Sequence, residues 1–321
     1  MHVAKRLLQE GHEVVGIDNL NDYYDVSLKL SRLEELRPQP AFRFQALDIG
    51  DAGAMETLFS QSGFTHVIHL AAQAGVRYSL KNPGAYVNAN LSGFTHVLEG
   101  CRHQGVQHLV YASSSSVYGS NTRQPFSEHH AADHPVSFYA VTKRANELMA
   151  HAYSHLFGLP STGLRLFTVY GPWGRPDMAY FLFTRALFEG TPIPLFNQGQ
   201  MRRDFTYVDD IVEGIVRVMA KAPTADPHFD REHPDPATSD APWRIYNLGH
   251  HDPVALETFL DVLEACAGKK AVRQYLPMQP GDVAETHAGM ADLYEALGYR
   301  PATSLEAGLE RFVSWYKRYY P

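Results

Sequence analysis

The sequence predicts an α/β protein: a doubly wound parallel sheet, followed by a smaller mixed α/β lobe. Short apolar runs bounded by turn residues alternate with stretches of helical periodicity through the first half. Parallel neighbours need a crossover that a helix supplies, so this alternation specifies a parallel sheet with helices on both faces. Each notable polar cluster falls just after an apolar run: Asp18, Asp48, Ala71–Gly75, Ser113–Ser116 and Thr168–Pro172. Those are the carboxyl ends of strands, where such sheets bind ligands.

The chain opens with a helix, because Val3, Leu7 and Leu8 recur at helical spacing and Gly11 suits its end. His12–Asp18 follows as a short strand ending in an acid. Helical periodicity near Leu28–Leu36 precedes strands over Phe42–Leu47 and Thr65–Leu70. Ala85–Arg102 reads as a long helix, Gln107–Ser113 as a strand, and Ser137–Phe157 as a second long helix stopped by Gly158. A strand over Thr162–Thr168 closes the first half. The division expected is residues 1–165 for the sheet domain and 166–321 for the substrate lobe. In the second half Ala222–Pro242, rich in Pro, Asp and His, is expected to be an exposed loop. A strand (Arg244–Leu248) and helices near Leu256–Ala267 and Leu305–Tyr316 follow it.

With 321 residues, 45% of them hydrophobic, the chain can bury a real core, which excludes disorder and disulfide scaffolds. Its net charge of −7 with no dense basic run argues against nucleic-acid and anionic-membrane partners. No apolar run approaches the roughly 20 residues of a membrane helix. A cytoplasmic location is expected. Cys101 and Cys266 lie far apart and read as small hydrophobes. His151 and His155 have metal-ligand spacing, but no third ligand is evident and no metal is expected. The late aromatic run from Trp315 to Tyr320 reads as helix packing.

Chemistry concentrates at Tyr139-Ala-Val-Thr-Lys143, whose ends share one helix face. A phenol is a poor base at neutral pH, but a nearby ammonium stabilises its phenolate. Tyr139 could then exchange a proton with a substrate hydroxyl. Alone, this spacing is equally that of an ordinary surface pair. The serines at 113–116, following a buried strand, put further hydroxyls at the same sheet edge.

Ser-Ser-Ser-Ser-Val-Tyr-Gly with Tyr-xxx-Lys resembles the extended short-chain dehydrogenase/reductase family of nucleotide-sugar epimerases and dehydratases, whose sheet is Rossmann-like. Gly-Gln-Met-Arg-Arg203-Asp204, Tyr-Asn247-Leu-Gly249 and Gln-Pro-Gly281-Asp282 resemble further landmarks of it. Within it, Gln73-Ala-Gly-Val-Arg77-Tyr-Ser79 and Phe167-Thr-Val-Tyr170-Gly-Pro-Trp-Gly-Arg175 look like the UDP-glucuronate 4-epimerases.

The resemblance implies NAD as cofactor, with Asp18 and Asn19 at the adenosine ribose, Asp48 and Ile49 at adenine, and Leu70, Ala71, Ala72 and Gln73 along the diphosphate and ribose. Asn90 and Ser113 would be their neighbours. It implies Tyr139, Lys143 and Ser114 as the catalytic set. For a UDP-sugar substrate it implies Arg203 on the diphosphate, Asp282 on the uridine ribose, and Arg77, Ser115 and Ser116 nearby. Sugar 4,6-dehydratases carry an Asp-Glu pair where this chain has Ser115 and Ser116, so elimination of water is not expected. Thr168 and Arg175 are the candidates for holding a sugar carboxylate. A homodimer through the two long helices is implied as well.

The activity expected is 4-epimerisation of UDP-glucuronate to UDP-galacturonate. UDP-glucuronate decarboxylation, UDP-glucose 4-epimerisation and a catalytically impaired homologue stand as alternatives. Family members place a strand and a Gly-xx-Gly-xx-Gly turn ahead of the helix that opens this sequence. Their absence predicts a chain shortened by roughly 10 to 15 residues. The chain as written is then expected to be less stable and to bind NAD weakly or not at all, since that turn meets the cofactor diphosphate.

Overall fold

The computed structural model describes residues 1–279 and 282–320. Its first half contains α1 (His2–Gln9), β1 (Val14–Asp18), α2 (Val26–Glu34), β2 (Phe42–Ala46), α3 (Ala52–Ser60) and β3 (His66–His69). Next come α4 (Val76–Lys81), α5 (Pro83–Tyr86), a π-helical stretch (Val87–Ser92), α6 (Gly93–Gln104), β4 (His108–Ser114), a 3₁₀ turn (Ser115–Tyr118) and α7 (Phe138–Phe157). The chain continues through β5 (Ser161–Leu166), β6 (Thr168–Tyr170), α8 (Ala179–Glu189), β7 (Pro192–Leu195), β8 (Arg202–Arg203), β9 (Phe205–Tyr207) and α9 (Val208–Met219). It ends with β10 (Trp243–Leu248), β11 (Val254–Ala255), α10 (Leu256–Ala267), β12 (Val272–Tyr275), α11 (Ala291–Leu297) and α12 (Leu305–Tyr319).

Four strands in the order β10-β5-β4-β3 form an all-parallel sheet, and β1 and β2 form a separate parallel pair. Both pieces occupy one layer. Val14 of β1 and Ile68 of β3 pack on the same core cluster, while Val15, Ile17 and Val67 pack on the cluster of the opposite face.

Helices cover both faces, as expected of a doubly wound sheet. On one side Leu7 of α1 and Ile211 and Ile215 of α9 meet Val110, Leu164 and Leu248 of the strands. On the other, Met55, Phe94, Leu98 and Ala150 of α3, α6 and α7 meet Leu109, Tyr111 and Ile245. A third core holds the lobe together: Phe181 of α8, Phe259 of α10, and Phe312, Trp315 and Tyr316 of α12. The terminal aromatics are therefore packing residues. Because β10 completes the sheet and α9 covers one of its faces, the chain beyond residue 166 contributes to all three cores.

Three expectations need amending. The strand expected over Thr162–Thr168 divides at Phe167: β5 enters the main sheet, and β6 pairs with β9. The long helix over Ala85–Arg102 contains the π-helical stretch. The segment Ala222–Pro242 is irregular, but Ala237, Thr238, Ser239 and Ala241 are buried, and the Ile245 amide donates to the Ala237 carbonyl at 3.0 Å. No helix among the described residues is long and apolar enough to cross a membrane.

Candidate active site

The carboxyl ends of β1, β3, β4 and β5 open into one cleft of about 540 Å³. Asp18, Asn19, Asp48, Ile49, Leu70, Ala71, Ala72 and Gln73 line one side, and Ser113, Ser114, Tyr139, Lys143 and Arg175 the other. Asp18 presents a half-exposed carboxylate, one oxygen of which accepts the Leu20 amide at 2.7 Å. Asn19 donates to Asp48 at 3.0 Å, joining the ends of β1 and β2. The small side chains of Ala71, Ala72, Ala74 and Ala112 leave backbone close to the cleft. An acid at a strand end beside a small-residue wall suits the ribose and diphosphate of a dinucleotide, so the residues present fit NAD.

Gln73 is fixed from behind. Asn90, in the π-helical stretch, accepts from the Gln73 amide at 2.8 Å and donates to its carbonyl at 3.0 Å. The same side chain donates to Thr142 of α7 at 3.0 Å, and Asn146 donates to the Asn90 carbonyl at 2.6 Å. Asn90 is buried and not on the cleft wall. Its place is to lock the loop after β3 against α7, and the π-turn is what points it there.

Ser137 caps α7 by accepting the Ala140 amide at 3.2 Å, which sets Tyr139 in the first turn, facing the cleft. Ser114 ends β4. Its hydroxyl accepts the Ser116 amide at 3.2 Å and donates to the Ser116 hydroxyl at 3.1 Å, tying it to the 3₁₀ turn that holds Ser115 and Ser116. Gly119 ends that turn at φ +56, where a Cβ would run into the His134 carbonyl.

Burial pushes the Tyr139 phenol above its ordinary value, against the pull of the Arg175 guanidinium and the Ser114 hydroxyl. The Lys143 ammonium, one turn further along α7, donates to the Ala112 carbonyl of β4 at 2.8 Å. Burial lowers Lys143 to about 8, opposed by the charge of Glu147.

Arg175 is paired with Asp177 at 3.1 Å, and Asp177 also accepts from the Tyr23 hydroxyl at 3.2 Å. Thr168 is not on the cleft wall; its amide donates to the Asp204 carbonyl at 3.1 Å, joining β6 to the β9 edge. A second group of expected residues gathers elsewhere. Arg77 lies 3.2 Å from Asp282 and over the Phe196 ring, and Arg203 donates to the carbonyls of Val283 and Ala284 at 2.6 and 3.0 Å. Gly281 lies outside the described residues. Asp204, fully buried, accepts the amides of His250, His251 and Ala288 at 2.6, 2.9 and 3.1 Å, which pins this part of the lobe together.

Two charged residues beneath the site carried no motif. Glu147 and Arg165 are both fully buried and bonded through two contacts of 2.9 Å. An arginine inside the apolar run of β5 was the sequence signal that could have exposed them, since a buried charge needs a partner.

A doubly wound parallel sheet whose strand ends bring a Tyr-xxx-Lys helix, a serine turn and an acid to one dinucleotide-sized cleft defines a short-chain dehydrogenase/reductase type of site. The chain belongs to the NAD dependent epimerase/dehydratase family, whose model matches residues 1–230. It is 49% identical to Protein CapI of Staphylococcus aureus, over 99% of this chain and 95% of that protein. It is 48% identical to the probable UDP-glucuronate 4-epimerase of Rhizobium meliloti (strain 1021), over 99% of this chain and 94% of that one. The crystal structure of UDP-glucuronic acid 4-epimerase from Bacillus cereus, in complex with UDP-glucuronic acid and NAD, superposes with a TM-score of 0.88 at 31% identity, covering 99% of this chain and 96% of the other.

Proposed function

We propose that this protein interconverts UDP-glucuronate and UDP-galacturonate by NAD-dependent epimerisation at C4. The observation that carries the reading is that a guanidinium, Arg175, lines the same cleft as Tyr139, Ser113 and Ser114. A sugar carrying a carboxylate finds its counter-charge at the reacting end. The named relatives support the same substrate.

Tyr139, as the phenolate that the Arg175 guanidinium and the Ser114 hydroxyl favour, takes the C4 hydroxyl proton, and Ser114, bonded within its turn, steadies that proton. Bound NAD would supply the hydride exchange at C4, and Tyr139 would return the proton to the C4 oxygen once the 4-keto sugar has presented its other face. Lys143 holds the nicotinamide ribose, and Asp18, Asn19, Asp48 and Ile49 hold the adenosine end. Arg203, Asp282 and Arg77 anchor UDP while the sugar turns, with the rigid guanidinium fork of Arg203 matched to the diphosphate. A 4-keto uronic acid loses CO₂ when its carboxylate stands perpendicular to the ketone plane. Arg175 keeps it out of that geometry. The protein works in the cytoplasm as a homodimer, supplying an acidic sugar nucleotide for polysaccharide synthesis; the exposed Val141 and Leu148 of α7 suit such a contact.

The test is incubation of the purified chain with UDP-glucuronate, with and without added NAD, and NMR of the products. UDP-galacturonate is expected. UDP-xylose with CO₂ release would replace the reading with decarboxylation, and turnover of UDP-glucose unaffected by Arg175→Ala would point to a neutral sugar.

A further inference from the structure

We propose that Glu147 is a positioning residue, clamping the catalytic end of β4 to α7 and supplying the counter-charge that keeps Lys143 an ammonium. The inference rests on the reading of Tyr139, Ser114 and Lys143 as the reacting set.

Lys143 and Glu147 stand one helical turn apart on α7, and they hold consecutive residues of β4. Lys143 donates to the Ala112 carbonyl at 2.8 Å, and Glu147 accepts from the Ser113 hydroxyl at 2.6 Å. The next residue is Ser114. Glu147 is held in turn by Arg165, which sits beside Ser113 on the neighbouring strand, their Cα atoms paired in register. Its Oε1 accepts from Arg165 Nε at 2.9 Å, and its Oε2 from Arg165 Nη2 and Arg144 Nη1, each at 2.9 Å. With the Ser113 bond, the carboxylate carries four donors, about its full acceptor capacity.

A fully buried ion pair is a poor device for stability alone, because apolar residues of similar volume often serve as well or better. This pair also leaves Arg165 Nη1 buried without a partner. Such a group is better explained by what it fixes. Here it fixes the end of β4 within one residue of Ser114.

The second consequence is electrostatic. Arg144 and Arg165 bond the carboxylate, and Lys143 stands one helical turn from it on the same face of α7. Of the other titratable groups near Lys143, His69 of β3 is uncharged near neutral pH because burial lowers it to about 3, and the Tyr139 phenol one turn earlier on α7 is raised by burial. Glu147 is therefore the group that opposes loss of the Lys143 proton. Half-buried Arg144 draws on the same carboxylate from the surface side, where it also meets Asp133 at 3.3 Å.

The test reads Lys143 directly. The full-length chain is labelled with ¹³Cε-lysine, the Lys143 resonance is assigned with Lys143→Arg, and its titration is followed by NMR in the wild type, Glu147→Gln and Arg144→Ala. In parallel, kcat and KM for UDP-glucuronate are measured across pH with added NAD. In Glu147→Gln the Lys143 midpoint and the alkaline limb of kcat are expected to fall together by about one pH unit or more, with KM changed less than about twofold. In Arg144→Ala both are expected to rise, a direction that loosened packing does not produce. A midpoint unmoved in folded Glu147→Gln, or falling in Arg144→Ala, overturns the proposal. Should Glu147→Gln fail to fold, the Arg144→Ala titration decides alone, a rise supporting the proposal and no rise overturning it. Absence of wild-type turnover would defeat the functional reading, while the NMR midpoints would still decide the role of Glu147 toward Lys143.

Discussion

The two ends of the site are built differently. Beneath the serine end, Ser113, Lys143, Glu147 and Arg165 are all buried and bonded to one another or to β4 backbone. At the proposed UDP end, Arg77 is exposed, its partner Asp282 belongs to an irregular segment, and Arg203 is held by carbonyls of that same segment. Folding of the sheet thus sets the geometry of the reacting groups, whereas loop placement sets the anchor. Changes at the first end should strike turnover and stability, and changes at the second should strike affinity.

The largest effect expected is at Tyr139. Tyr139→Phe removes the proton acceptor and should lower kcat by about 10²–10⁴-fold with the fold intact, as steady-state kinetics and a thermal melt would register. Normal turnover in that variant would break the assignment outright. Next, Arg165→Met takes away two of the four donors to the Glu147 carboxylate, leaving Arg144 and the Ser113 hydroxyl. It should cost about 3–5 kcal/mol in urea unfolding, the range for breaking one partner of a buried pair. A loss below about 1 kcal/mol would mean the buried end is no more tightly built than the exposed one.

At the other end, Arg203→Ala should raise KM for UDP-glucuronate about 10- to 100-fold, in line with about 1.5–3 kcal/mol for a hydrogen bond to a charged group. Its kcat should stay within about threefold. A collapse of kcat at constant KM would erase the distinction between the two regions.

The smallest effect lies on the seam between them. Asn247 accepts from the Tyr118 hydroxyl at 2.6 Å and donates to the Gly289 carbonyl at 3.1 Å, and its amide donates to Glu128 at 2.6 Å. Burial raises Glu128 from 4.5 to about 7. Between those values the folded protein holds a proton that the unfolded chain has released, so this contribution is full below about 4.5 and lost as pH rises through 7. Melting temperatures of wild type and Glu128→Gln should therefore shift in favour of the variant across that window. A difference independent of pH would show that Glu128 does not titrate there.

Much of this was legible in the residues. Strand ends and the Tyr-xxx-Lys spacing depend on local periodicity, and they placed Asp18, Ser114, Tyr139 and Lys143 on one cleft. Helices α3, α8 and α9 are not read from periodicity, and β8, β9 and β11 are only two or three residues long, too short for periodicity to register. What Lys143 grasps could not be read at all, because the Ala112 carbonyl is brought to it by tertiary packing. The role of Asn90 was hidden for a related reason: the π-turn that aims it inward breaks the helical period by which a face is read.

The divided sheet has a further consequence, in how the molecule opens. Among the described residues, hydrogen bonds run from β1 only to β2, and from β3 only to β4, so no ladder there carries cooperativity across the layer. Contiguous cooperative units open with their own free energies. The amides of Val14–Asp18 and Phe42–Ala46 should accordingly exchange with solvent as one unit, ahead of the β4 and β5 amides. The adenosine-side acid Asp18 then rides on the part of the sheet that opens first, while Ser114 rides on the part that opens last.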